Sequence, residues 1–231
     1  MNIGVMLPTF RESVSDALGA AELAQIYGLD GVFVYDHLWP MGAPRRPSLA
    51  AFPVLARLAV QCDSLMMGPL VARVGLVSRA KLVEEFLTLE MLAPGRVIAG
   101  LGTGDSLSEA ENLAYGIAFG SASERREDLS LTIDALPSAM PVWVGGGSRA
   151  TNDLARHKGA TLNLWNRITE ELRQHSELGP VSWAGDARED LETQLEELSL
   201  SGVTWAVFSP SCDIVRLAEW RRGHFDQSNV S

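Results

Sequence analysis

The sequence predicts an α/β fold closed as a shortened (β/α)8 (TIM) barrel. Apolar, β-branched runs alternate with segments of helical periodicity from end to end, the pattern of a parallel sheet covered by helices. The runs number eight, which favours the barrel over an open doubly wound sheet, and 231 residues lie at the small end of the barrel's size range. No linker, low-complexity tract or charge block divides the chain, so 1–231 reads as one domain.

The first strand is expected at Ile3–Leu7, followed by a helix in which Val14, Ala17, Leu18 and Ala21 keep the i, i+3, i+4, i+7 spacing. Gly31–Tyr35 and Leu65–Val71 supply strands two and three. Leu82, Phe86 and Leu89 mark a helix that Pro94 and Gly95 stop. Val97–Leu101 is strand four, and Ser108 and Glu111 have the S-x-x-E spacing of a capping box, so the next helix is expected to start there. Leu129, Ile133 and Leu136 mark the helix before strand five, Val142–Val144. Strand six is Thr161–Trp165. Strand seven, Val181–Ala184, is short and interrupted by Gly185 and Asp186, which leaves a vestigial strand as one outcome. Leu191, Leu195 and Leu198 mark a helix before strand eight, Val203–Phe208, and the final "DQSNVS" is expected to fray.

Hydrophobic residues make up 46% of the chain, enough for a substantial core. Nineteen basic against 29 acidic residues give a net charge of −10, which argues against a nucleic-acid surface and against an anionic membrane. "MNIGVMLPTF" lacks the pattern of a signal peptide, and no run has the length of a membrane span. Cys62 and Cys212 stand far apart and read as free thiols, so a cytoplasmic location is expected. His157, His175 and His224 show no ligand spacing, and no metal site is expected.

In a barrel of this type the active site lies at the C-terminal ends of the strands. That rim gathers Pro8-Thr9-Phe10, Asp36-His37-Leu38-Trp39, Ala72-Arg73, Gly102-Thr103-Gly104-Asp105, Gly145-Gly146-Gly147-Ser148 and Asn166-Arg167. Asp36-His37 suits acid–base work or orienting a cofactor; the bland alternative is a loop cap with His37 packed on Trp39. In "RVIAGLGTGDSLSEAEN", Gly100, Gly102 and Gly104 free the backbone to turn and allow close approach, with neither the dinucleotide fingerprint nor a P-loop lysine. "VGGGSRAT" places Gly145, Gly146 and Gly147 before a helix start at Ser148, an arrangement that suits a phosphate. The competing reading is a tight turn needing positive φ. Of the tryptophans, those at 143, 165, 183 and 205 read mostly as core, and Trp39 as the one to stack on something planar.

Five stretches, in order, resemble the luciferase-like superfamily of flavin and deazaflavin oxidoreductases, in its branch using coenzyme F420: "GVFVYDHLWP", "RVIAGLGTGDSLSEAENLAYG", "SERRED", "PVWVGGGSRAT" and "NLWN". The final "GVTWAVFSP" looks like that family's last strand. The resemblance implies an F420-dependent oxidoreductase moving a hydride between the deazaflavin and a small organic substrate. It implies that Asp36 and His37 lie by the reactive ring, that Asp105 acts near the substrate, and that Thr103 and Gly104 lie beside the cofactor with Gly102. It further implies a non-proline cis peptide at Leu70–Val71 behind the ring, and Gly145, Gly146, Gly147 and Ser148 around the phosphate of the cofactor tail. A homodimer through the helix Lys81–Leu92 and the stretch Phe52–Val60 is implied as well. Two alternatives come with it: an FMN-dependent monooxygenase, and a truncated cofactor-binding protein without catalysis. The chain departs from the family in three places. Only "PSAM" stands before strand five where relatives carry a long insertion, strand seven reads as cut short, and Asp105 stands where the nearest motifs have glutamate.

Overall fold

The computed structural model describes residues 1–40, 42–44 and 46–228. Its strands, all parallel, form one sheet in the order β3-β2-β1-β9-β8-β7-β6-β5-β4. The strands are β1 Asn2–Met6, β2 Gly31–Val34, β3 Met66–Pro69, β4 Ala72–Arg73, β5 Ala99–Gly102, β6 Val142–Gly145, β7 Thr161–Trp165, β8 Val181–Gly185 and β9 Trp205–Phe208. The helices are α1 Ser15–Tyr27, α2 Ala51–Gln61, α3 Arg79–Leu92, α4 Ser106–Ala114, α5 Ala122–Ala135, α6 Arg149–His157, α7 Thr169–Ser176, α8 Leu191–Leu200 and α9 Ile214–Ser228. A parallel bridge from Met67 to Val97 joins β3 to the chain entering β5 and closes the ring. The expected barrel is therefore present, with strand three divided into β3 and β4 at the cis Leu70–Val71 peptide.

A few large apolar side chains fill the narrow barrel. Met6, Phe33, Leu70, Ile98, Trp143, Ala184 and Val207 form an interior cluster separate from the large core beneath the helices. Phe33 stacks on Trp143 at 5.1 Å, and Trp205 meets both rings edge-on. Where these rings press on the backbone the chain has glycine: a Cβ on Gly4 would lie 2.9 Å from the Phe33 ring, and one on Gly31 3.1 Å from Trp205. Outside, the helical periodicity holds. Leu82, Phe86 and Leu89 are the buried face of α3, and Leu191, Leu195 and Leu198 belong to that of α8. Gly95, with φ of +72°, follows the end of α3 as expected.

Two expectations about elements are corrected. Strand seven is not vestigial: β8 has five residues, all buried, and pairs in four-residue registers with both β7 and β9. Gly185 extends the strand because a side chain there would collide with Asn166 and the Trp183 ring, so it is a packing glycine and not a breaker. The helix expected from Ser108 starts at Ser106, capped by Asp105: its Oδ1 accepts from the amides of Leu107 and Ser108 at 3.0 Å, and the Asp105 amide donates to Ser108 Oγ at 3.2 Å. Glu111 is thus released for another use. Of the end expected to fray, α9 extends through Ser228, and 229–231 lie outside the described residues.

Candidate active site

The C-terminal ends of the strands open onto a cavity of about 760 Å³, within the range of small-molecule and cofactor sites. All twelve expected site residues line it: Asp36, His37, Leu70, Val71, Gly102, Thr103, Gly104, Asp105, Gly145, Gly146, Gly147 and Ser148. The barrel ring brings together stretches that the sequence separates by more than a hundred residues. Val71, just after the cis peptide, forms part of the floor. A Cβ on Gly102 would lie 2.4 Å from its Cγ2, and one on Gly145 3.2 Å. Gly104 has φ of +68° and passes close to the Arg73 side chain, so glycine there serves both the turn and the packing.

The glycines before α6 lie on the cavity wall and are not turn glycines. None of the three has positive φ, which removes the tight-turn account. Their amides are partly committed: Gly146 N donates to Asn163 O at 2.8 Å and Gly147 N to Asn152 Oδ1 at 3.1 Å. Gly146 is bare because Leu162 and Leu164 press on it, whereas a Cβ on Gly147 would meet nothing within 4 Å. The first turn of α6 lies on the cavity with the Ser148 and Thr151 hydroxyls 3.0 Å apart, donors that could hold an anionic group. Arg126, which also lines the cavity, adds a cation.

At the other side stands a buried charge cluster. Glu111, 2% exposed, receives Leu38 N at 2.6 Å and Trp39 N at 3.1 Å on Oε1, and Arg73 Nη1 at 2.7 Å on Oε2. His37 Nδ1 lies 3.2 Å from the same Oε2. Asp36 Oδ2 accepts from Arg73 N, and Ser48 Oγ donates to His37 O. Burial pushes the Asp36 carboxyl up, against the pull of Arg73 and His37. Burial opposes ionisation of Glu111 too, but the Trp39 amide, Arg73 and His37 outweigh it and hold that carboxyl below its ordinary range. Arg73, 4% exposed, keeps Nε and Nη2 without an acceptor among the described residues, so the wall of the cavity holds a cation with unmet donors.

An aromatic row completes the wall: Phe10 stacks on Tyr35 at 4.7 Å, and Tyr35 leans on Trp165 at 6.2 Å. Burial, then Asp186, pushes the Tyr35 hydroxyl up to about 12, so it stays a donor at neutral pH. Trp39 does not line the cavity; it packs on Tyr115, so the stacking expectation passes to Tyr35 and Trp165. His37 leans towards Phe10 and Glu111, not Trp39. Sequence reasoning had Arg73 only as a rim position and Glu111 as a helix cap. Their signal was a charged residue at the end of strand three and another within the helix after the glycine turn.

A family model described as luciferase-like monooxygenase matches residues 1–136, more than half of the chain. The chain belongs to that family. The luciferase-like chain is 34% identical over 153 residues to the F420-dependent glucose-6-phosphate dehydrogenase of Beutenbergia cavernae, covering 66% of this chain and 43% of that protein. It is 28% identical over 144 residues to the F420-dependent hydroxymycolic acid dehydrogenase of Mycobacterium tuberculosis, covering 62% and 38%. These matches span about two fifths of the curated relatives' own length. Among solved structures, an F420-dependent secondary alcohol dehydrogenase in complex with an F420–acetone adduct overlays with a TM-score of 0.80 at 14% identity, over 94% of this chain and 97% of that one. The coenzyme F420 dependent tetrahydromethanopterin reductase of Methanopyrus kandleri overlays at 0.74 and 13%, over 95% and 96%. At such identities the overlays establish the shared fold.

Proposed function

We propose that this chain is an F420-dependent oxidoreductase that moves a hydride between the deazaflavin and a small organic substrate, an alcohol and its carbonyl product. The observation that carries the reading is the gathering of all twelve expected residues on one cavity of cofactor size. The relatives' F420-dependent activities support the choice of cofactor. The residues present fit the group. Bare glycines at 102 and 145 leave the Val71 floor open to a flat ring, Tyr35 and Trp165 supply aromatic faces, and Ser148, Thr151 and Arg126 offer donors to an anionic tail. Bound there, F420 supplies the hydride acceptor or donor.

In this reading Leu70, Val71, Gly102, Thr103 and Gly104 seat the ring, and Gly145, Gly146, Gly147 and Ser148 seat the tail phosphate. His37, beside Asp36, handles the substrate proton. Asp105 offers the cavity what its helix cap leaves over, since its Oδ1 is already bonded three times. Residues 1–231 act as one domain, in the cytoplasm, as a homodimer. The exposed apolar side chains of α2 and α3, Val60 and Met91 among them, support a face for a second copy.

A titration of the purified chain with oxidised F420 and, in parallel, FMN tests the reading. Binding of F420 in preference, followed by reduction with a secondary alcohol, is the expected result. Preference for FMN turns the chain to the monooxygenase branch, and binding of neither leaves a barrel that has kept the fold without the function.

A further inference from the structure

All four groups around the Glu111 carboxylate are nitrogen atoms: two backbone amides, a guanidinium and an imidazole Nδ1. The amides and the guanidinium can only donate, and an ionised carboxylate can only accept. The imidazole nitrogen at 3.2 Å therefore carries its proton towards Glu111, and in the neutral ring Nε2 keeps its lone pair. His37 is partly exposed and lines the cavity, whereas Glu111 is sealed from it. The acid is placed to act on the histidine and not on a ligand.

We propose that Glu111 is the positioning residue that fixes His37 in its Nδ1–H form and presents Nε2 as the base for a substrate hydroxyl. This rests on the hydride-transfer reading above. As His37 Nε2 takes the proton, the O–H bond breaks and an N–H bond forms; the C–H hydride would pass to bound F420 as the carbon–oxygen double bond closes. The reverse reaction returns the proton from the imidazolium to the oxygen. Arg73 keeps Glu111 ionised, and the bonds from Leu38, Trp39 and Ser48 hold the backbone that carries the ring. The relay starts from strand three and helix α4, so sequence neighbourhood does not show it.

Glutamine separates this role from simple packing. Glu111→Gln keeps the shape but has one acceptor oxygen where the site asks for two. An oxygen turned to Arg73 would leave two backbone amides facing the NH2, whereas Arg73 Nη1 also has Ser108 O as an acceptor, so the oxygen serves Leu38 and Trp39. The NH2 then faces His37 Nδ1, which must accept, and the ring proton moves to Nε2. The test is a long-range 1H–15N correlation on the cofactor-free chain, above the imidazole titration, with His37 assigned among the four histidines through His37→Asn. Nδ1–H in the wild type and Nε2–H in Glu111→Gln are expected. Nε2–H in the wild type, or an unchanged tautomer in the variant, overturns the proposal, and the wild-type spectrum decides alone should the variant not fold. With F420 and a secondary alcohol, kcat of Glu111→Gln is expected to fall on the order of 100-fold, with F420 affinity within about threefold of wild type. A fall in kcat without a tautomer change also overturns it. If the tautomers are as expected but no alcohol tested reduces F420 in the presence of the chain, the positioning of His37 stands and the hydride reading falls.

Discussion

Replacing Gly100 by alanine tests the geometry that closes the barrel. Gly100 lies in β5, beside the seam where Met67 bridges to Val97. A Cβ there would stand 2.0 Å from the carbonyl oxygen of Pro69, short of ordinary contact at 3.4 Å by 1.4 Å. Both sides of the clash are backbone, so no rotamer relieves it and the seam must part. Overpacking costs about 1–3 kcal/mol where side chains can give way, and here the upper end applies, about 3 kcal/mol. For a chain of this size that converts to a fall in Tm of about 6–12 °C. Thermal and urea unfolding followed by circular dichroism measures it. Gly100→Ala with stability within about 0.5 kcal/mol of wild type would refute the close approach of the two strands, and with it this account of why the residue is glycine.

Gly147→Ala provides the contrast: with nothing within 4 Å of the new methyl, stability should change by less than about 0.5 kcal/mol. F420 affinity is nevertheless expected to fall about tenfold by fluorescence titration as the methyl enters the cavity, a cost of about 1.4 kcal/mol; unchanged affinity would remove Gly147 from the binding wall. Glu111 and Asp36 should give opposite pH effects. The lowered Glu111 carboxyl contributes stability above its ordinary 4.5 that is lost as pH falls through the lower folded value. The raised Asp36 carboxyl makes the folded state lose stability as pH rises past 3.8, so Asp36→Asn should remove that decline, and parallel urea midpoints across the range would contradict it. Val60→Glu with Met91→Glu, both at positions exposed to 74%, should convert a dimer to a monomer in analytical ultracentrifugation, and a dimer that survives would place the interface elsewhere.

The glycine triplet that stands out in the sequence shows how far pattern goes. Gly100, Gly102 and Gly104 announce a strand ending in a bare turn, and they end β5 at the cavity. Each is bare for a separate reason: a backbone seam, the Val71 floor, and a left-handed turn against Arg73. The seam, the floor and the Arg73 contact belong to residues some thirty positions away and cannot be read locally. Similarly, S-x-x-E at Ser108–Glu111 looked like one capping box, while the structure divides its members. Ser108 pairs with Asp105, and Glu111 crosses to the loop after β2.

The sequence by itself determined the fold class, the order of its elements and the rim on which ligands meet them, because apolar period and turn chemistry act over a few residues. It named the residues of one cavity through motifs that lie at strand ends. Only the closed ring decided which of them face one another. It made β8 a full strand by giving it two neighbours, and turned the Gly146 and Gly147 amides inward. It also set Glu111, Arg73 and His37 within hydrogen-bond reach. The donors gathered there then hold Glu111 ionised, since a carboxylate removed from water keeps its charge only where donors surround it.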